Sequence, residues 1–297
     1  MKFLSIKKNG QLQLGVKVEQ GIVDIHEALL HVKGEVATTV MEIIHGGEKS
    51  LADLQSYLDT LPLNGRPPYI VSEEEIEWGA CVPEPNKIIC VGLNYRKHAD
   101  ETNASYPEVP ILFNKFNNTL TGNQCDIVIP AVTNKLDYEV ELAVVIGKNA
   151  KNVRKDEALQ YIFGYCTAND LSARDLQFTT PQWLLGKTCD DFSPVGPYLV
   201  TADEVGNPNQ LSLKTYVNGE IRQESHTSDM IFYVDEIVSY ISKHMTLTPG
   251  DIILTGTPEG VVLGLPEDEQ VYLKPNDEVT VEVEKLGALT NRFVAEN

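Results

Sequence analysis

Apolar and polar residues alternate over short runs along most of this chain, and apolar residues recur at helical spacing in only a few places. The stretch K-F-L-S-I-K-K-N-G-Q-L-Q-L-G-V-K-V, residues 2–18, alternates on both sides of Asn9-Gly10. An Asn-Gly pair suits the tight turn of a two-residue hairpin, so a hairpin is predicted there. A second one is predicted around Asn218-Gly219, inside the alternating residues 213–223. Apolar runs at 87–92, 127–129, 138–146, 251–254 and 279–283 predict further strands. Helical spacing is confined to 39–45, 51–61, 156–163 and 230–245, the last carrying Ile231, Val234, Ile237, Val238, Ile241 and Met245 on one face. Many strands and few helices predict an α+β fold rich in β-structure. The Pro/Gly-rich break L-P-L-N-G-R-P-P-Y, residues 61–69, suggests a small N-terminal α+β domain at 1–80 and a main domain at 83–297.

Composition narrows the function classes. A chain of 297 residues can bury a sizeable core without disulfides or a structural metal. Its formal net charge of -19 argues against nucleic-acid binding, which calls for a basic face. The five cysteines (Cys81, Cys90, Cys125, Cys166, Cys189) contain no Cys-x-x-Cys pair, so neither a zinc nor a redox motif follows. Residues 1–10 are too short and too charged for a signal segment, and no apolar run reaches membrane-spanning length. These features lead to the expectation of a cytoplasmic protein without a membrane or nucleic-acid partner.

One predicted strand carries an anomaly. In L-D-Y-E-V-E-L-A-V-V-I-G, residues 136–147, Glu139 and Glu141 are two apart and so point the same way, beside a run that is apolar on both faces. Taken alone, an E-x-E pair is usually the polar face of a half-exposed strand. A strand entering a covered sheet is different, because burying carboxylates costs several kcal/mol each unless a cation compensates. Side chains on a base of roughly 6.6 Å can converge on one ion, with metal–oxygen distances of about 2.1 Å. Asp170, ending an apolar-leaning stretch in G-Y-C-T-A-N-D-L-S-A-R-D-L-Q, is a candidate third ligand, although that segment alone reads as a helix cap and an Arg–Asp surface pair. L-L-G-K-T lacks the first glycine of a phosphate-binding loop, Pro181 standing there, so nucleotide binding is excluded.

Together, K-I-I-C-V-G-L-N-Y-R-K-H-A-D-E, L-D-Y-E-V-E-L-A-V-V-I-G and G-Y-C-T-A-N-D-L-S-A-R-D-L-Q resemble the fumarylacetoacetate hydrolase family. L-L-G-K-T-C-D-D-F-S-P-V-G-P, V-N-G-E-I-R-Q, S-D-M-I-F and G-D-I-I-L-T-G-T-P-E-G-V continue the resemblance in order, over roughly residues 83–295. The resemblance implies a mixed β-roll, a homodimer, and Mg²⁺ or Mn²⁺ held by Glu139, Glu141 and Asp170. It implies Lys187 as an active-site lysine that offsets the carboxylates. It also implies a lid in which His98 is the general base and Glu101 its partner, three residues apart on one helical turn. Arg174, Gln177 and Thr257 match substrate-binding positions, and Tyr95 is a further pocket candidate. His26, His31, His45, His226 and His244 are read as structural or surface residues, and selectivity is expected in 103–110 and 177–185.

The chemistry implied is cleavage next to the oxo group of a small 2-oxo acid, either acylpyruvate hydrolysis or oxaloacetate decarboxylation. Isomerisation or hydration of a hydroxymuconate-type 2-oxo dicarboxylate is the alternative. A non-catalytic binding protein of the same fold would be marked by a missing ligand or dyad residue, and none is missing here.

Overall fold

Both Asn-Gly pairs close hairpins. In this computed structural model, which describes residues 1–65 and 67–296, Asn9 and Gly10 have φ of 53° and 75°, and Asn218 and Gly219 have 52° and 82°. Positive φ at both central residues matches the turn twist to the strand twist. The first turn joins β1 (Lys2–Lys8) to β2 (Gln11–Val18), followed by β3 (Gly21–Asp24) and β4 (Ile70–Val71). Then come β5 (Ile88–Gly92), β6 (Ile111–Lys115), β7 (Asp126–Ile129), β8 (Val140–Ile146), β9 (Ile162–Asn169) and β10 (Ser193–Thr201). The second turn joins β11 (Ser212–Val217) to β12 (Glu220–His226), and β13 (Ile252–Leu254), β14 (Glu278–Val283) and β15 (Gly287–Ala295) complete the strands used below.

The main sheet runs β4-β3-β2-β1-β10-β9-β8-β13-β5-β6, and a second sheet runs β12-β11-β14-β15-β7. The chain is an α+β protein dominated by mixed sheet, and β1 of the N-terminal region pairs directly with β10 of the main sheet. Strand β8 lies between β9 and β13, antiparallel to both, and β13 is parallel to β5. Val140, Leu142, Val144 and Ile146 enter one core cluster with Val281 and Phe293 of the second sheet and Ile237 and Ile241 of a helix at Val234–His244. Ala143 and Val145 enter the other, with Ile43, Ile44 and Leu54 of the helical segment Val40–Leu58, which Gly47 interrupts at φ 57°. The sheet is therefore covered on both faces around β8, which is why this strand lacks polar alternation.

Two local expectations are corrected. The strand expected at 138–146 begins only at Val140, and Leu136–Asp137 just before it pairs with Ser172–Ala173 in a separate ladder. The helix expected at 156–163 is a 3₁₀ segment, Lys155–Tyr161, which gives way to β9 at Ile162. The five cysteines are free thiols. Among the described residues, no helix is long and apolar enough to cross a membrane.

Candidate active site

The register of β8 on β9 builds the carboxylate cluster. Val140 faces Asn169 and Glu141 faces Ala168, so the next pair outward sets Glu139 opposite Asp170, and the Asp170 amide donates to the Glu139 carbonyl at 2.9 Å. Asn169 tightens this end by accepting from the Glu139 amide at 2.9 Å. One oxygen each from Glu139, Glu141 and Asp170 lies within 4.8 Å of the others, and all three residues are buried. Three convergent carboxylates are a hard-oxygen donor set, which fits a divalent cation of the Mg²⁺, Mn²⁺ or Ca²⁺ kind.

The electrostatics point the same way. Lys187, in a helix at Leu184–Lys187, bridges Glu139 at 2.9 Å and Asp170 at 2.8 Å. Arg174 Nη1 pairs with Glu139 at 2.7 Å, and Lys115 Nζ reaches Asp170 at 2.5 Å. Burial opposes the charge on Glu139, but Lys187 and Arg174 overcome it and hold the carboxyl down to about 2. Glu141 fares differently. Burial, and then the charges of Asp170 and Glu139, push its carboxyl well above the usual range, although it accepts from the Gly256 amide at 2.7 Å. A cation seated between these oxygens would relieve the repulsion that the lysine and arginine leave at Glu141.

Across the same cavity, about 250 Å³ in volume, stands a short helix, Arg96–Glu101. His98 Nδ1 and Glu101 Oε1 are 2.7 Å apart, and Glu101 Oε2 accepts from the Gly260 amide at 3.0 Å. With Nδ1 engaged, Nε2 is the imidazole nitrogen available to the cavity, which His98 lines. The helix is tied down by Arg96 donating to the Asp229 carbonyl at 3.0 Å and by Lys97 pairing with Glu259 at 3.3 Å. Asn94 anchors its entry, bonding Phe232 through both side-chain ends and the Thr255 carbonyl at 2.7 Å. Gly256, at φ 98°, lets the 255–260 turn approach this anchor, since a Cβ there would meet Asn94 at 2.8 Å and the Val91 carbonyl at 2.9 Å.

The structure thus brings His98, Glu139, Glu141, Arg174, Gln177, Lys187 and Thr257 to one cavity, with Asp170 and Glu101 directly behind. Tyr95 does not join them. As the residue capping the helix Arg96–Glu101 it is extended, wholly buried and packed into the core, and among the described residues its hydroxyl has no hydrogen-bond partner. Thr257 lines the cavity, yet its hydroxyl donates to the Val140 carbonyl at 3.0 Å and accepts from Gln223 at 2.9 Å.

Three buried polar residues escaped the sequence reading. Asp137 accepts from Arg174 Nε at 2.8 Å and from the Val262 and Leu263 amides. Gln223, on β12, takes hydrogen bonds from the Val140 amide and Thr215 and gives them to Thr257 and the Pro258 carbonyl. Lys115 ends β6 and holds Asp170 together with the Phe192 carbonyl. The only sequence signal among them is Asp137, two residues before the E-x-E pair.

Residues 87–294 match the fumarylacetoacetate (FAA) hydrolase C-terminal family. A Bos taurus protein, a mitochondrial oxaloacetate tautomerase, is 40% identical over 277 residues, spanning 92% of this chain and 84% of its own. A fumarylacetoacetate hydrolase from Exiguobacterium antarcticum superposes with a TM-score of 0.84 at 32% identity, over 100% of both chains. The maleylpyruvate hydrolase of Sphingobium sp. SYK-6, solved with manganese(II) and pyruvate, superposes with a TM-score of 0.80 at 27% identity, again over 100% of both. The mitochondrial names of the bovine, rat and human relatives overturn the cytoplasmic expectation, which rested on composition and on residues 1–10. By its matched residues and by the fold they build, this chain belongs to the fumarylacetoacetate hydrolase family of enzymes.

Proposed function

We propose that this enzyme moves a proton at the carbon beside the oxo group of a small 2-oxo acid, and that oxaloacetate, interconverted between its keto and enol forms, is the substrate to test first. The observation carrying this reading is the placement of the His98–Glu101 pair and the Glu139–Glu141–Asp170 cluster on one cavity. The names of the oxaloacetate tautomerase relatives support it. A divalent ion held by Glu139, Glu141 and Asp170 would supply Lewis-acid stabilisation of the negative charge that builds on the oxo oxygen. His98 Nε2 takes the proton from the neighbouring carbon and returns it to the oxygen, while Glu101 fixes the imidazole through Nδ1. Among the described residues Arg174 Nη2 has no hydrogen-bond partner, while the other nitrogens bind Asp137, Glu139 and Gln177, which suits it to a substrate carboxylate. Lys187 holds Glu139 and Asp170 in place and keeps the cavity floor attractive to anions.

Cleavage next to the oxo group is the second reading. Loss of CO₂ from oxaloacetate needs the same charge stabilisation, and hydrolysis of an acylpyruvate needs His98 to activate water instead. Within this second reading, the apolar side of the cavity, with Val91, Ile111, Phe113 and Trp183, suits the uncharged acyl tail of an acylpyruvate. The decay of the enol absorbance of oxaloacetate, with CO₂ release measured in parallel, tests the primary reading in the presence of Mn²⁺ and then of EDTA. Decay without CO₂, lost in EDTA and in Glu139→Ala, is expected. Equal decay in EDTA would refute the proposal, whereas stoichiometric CO₂, or faster cleavage of acetylpyruvate, would favour the second reading.

A further inference from the structure

The cavity has a charged pole and an apolar one. Glu139, Arg174 and Lys187 are tied together by ion pairs, and Glu141 lies within the same carboxylate cluster. Moving away from that cluster, the Lys187 ammonium lies 5.2 Å from the centre of the Phe113 ring. Phe113 in turn meets Trp183 edge-on, with ring centres 5.3 Å apart at 72°. Trp183 thus packs on Phe113, and both line the cavity together with Val91, Gly92 and Ile111.

The indole is held from two sides. Against it lies Gly92, the last residue of β5, where a Cβ would come within 2.4 Å of indole Cζ3 and 2.8 Å of Cη2. Its own backbone opens the helix that carries Lys187, with the Gly186 amide donating to the Trp183 carbonyl at 3.1 Å. That helix is pressed onto the helix Arg174–Gln177, since a Cβ at Gly186 would meet the Gln177 amide nitrogen at 2.5 Å and the Ala173 carbonyl at 2.6 Å. The indole and the ammonium thus project from opposite ends of one short segment held against Ala173 and Gln177.

We propose that Trp183 is a specificity-determining residue. It ends the cavity opposite the carboxylate cluster and limits the length of the uncharged tail that a 2-oxo acid can carry. The proposal rests on the reading of this cavity as a 2-oxo acid site. A tail atom that gains full apolar contact is worth roughly fourfold in affinity per methylene, so the wall's position translates into a cut-off in chain length. The two substitutions that move the wall act in opposite senses. Trp183→Ala opens the end, whereas Gly92→Ala adds a methyl group to the wall and drives the indole into the cavity.

The test is calorimetric binding of pyruvate, 2-oxobutyrate, 2-oxopentanoate and 2-oxohexanoate, in Mn²⁺, to wild type, Trp183→Ala and Gly92→Ala, with thermal melts of each. Relative to pyruvate, binding of 2-oxohexanoate is expected to strengthen about tenfold in Trp183→Ala and to weaken in Gly92→Ala. Ratios that stay constant, or that move in the same direction in both variants, would overturn the role of Trp183. If Trp183→Ala does not fold, the weakening in Gly92→Ala decides the matter. If pyruvate itself fails to bind wild type, the 2-oxo acid reading falls and this proposal with it; if pyruvate binds, only the wall is at issue.

Discussion

Replacing Lys187 with methionine removes the ammonium that bridges Glu139 and Asp170 while leaving a side chain of similar length. The three residues are buried, and the ammonium is held above its ordinary value by Asp170 and Glu139 despite the opposing cost of burial. Removing one partner of a buried ion pair costs about 3–5 kcal/mol, because the other charge is left uncompensated. For a chain of this size that corresponds to a fall in melting temperature of roughly 5–10 °C. The cost should depend on metal. Without a divalent ion, Arg174 and Lys115 are the remaining cations bonded to these carboxylates. With saturating Mn²⁺, two positive charges sit among the same oxygens and most of the deficit should vanish. Differential scanning calorimetry of wild type and Lys187→Met, each in EDTA and in Mn²⁺, reads both effects. A large loss in EDTA and a small one in Mn²⁺ is expected. An equal loss in both conditions would refute the view that lysine and metal compensate the same charges, and no loss in EDTA would refute the burial argument itself.

Three further outcomes follow from the site. Glu139→Ala should abolish Mn²⁺ binding by calorimetry together with metal-dependent turnover, and retention of full affinity would exclude Glu139 as a ligand. His98→Asn should lower kcat by about 10²–10⁴-fold with Mn²⁺ affinity unchanged; a loss of affinity of similar size would assign His98 to the metal instead. Gln223→Leu leaves the Val140 amide and the Thr215 and Thr257 hydroxyls short of a partner. Urea denaturation should show a loss of about 1–3 kcal/mol, and wild-type stability would mean that these groups re-pair without it.

How much of this was legible beforehand depended on how local each cause was. Asn9-Gly10 and Asn218-Gly219 declare their hairpins because the turn geometry lies within two residues. Glu139 and Glu141 stood out because strand periodicity places them together against an apolar run. The remaining features were set by partners far along the chain. Nothing in L-F-N-K-F-N-N marks Lys115 out from its polar neighbours until Asp170 and Phe192 close around it. Gln223 reads as one more polar residue of a hairpin until the second sheet packs it against Val140 and Thr257. Tyr95 went wrong for a related reason. Proximity in sequence to the His98 lid suggested the cavity, but the extended backbone before the helix turns its ring into the core. The break after Asp137 was equally hidden, since it arises from pairing with Ser172 and from the Val262 and Leu263 amides.

The placement of β8 between β9 and β13 has a consequence for the chain as it is being made. Its partner on one side, β9, follows within a few dozen residues, but Ala143 meets Leu254 only after the chain has grown much further. At about 5–20 residues per second, the intervening stretch of about 110 residues keeps that edge of β8 unpaired for on the order of ten seconds. An open edge bearing V-E-L-A-V-V-I is a template for pairing with other nascent chains. Glu139 immediately precedes this segment and Glu141 is its second residue, and charges so placed discourage such pairing while β13 is awaited. The same two carboxylates that later converge in the cavity thus act first as gatekeepers of the nascent strand.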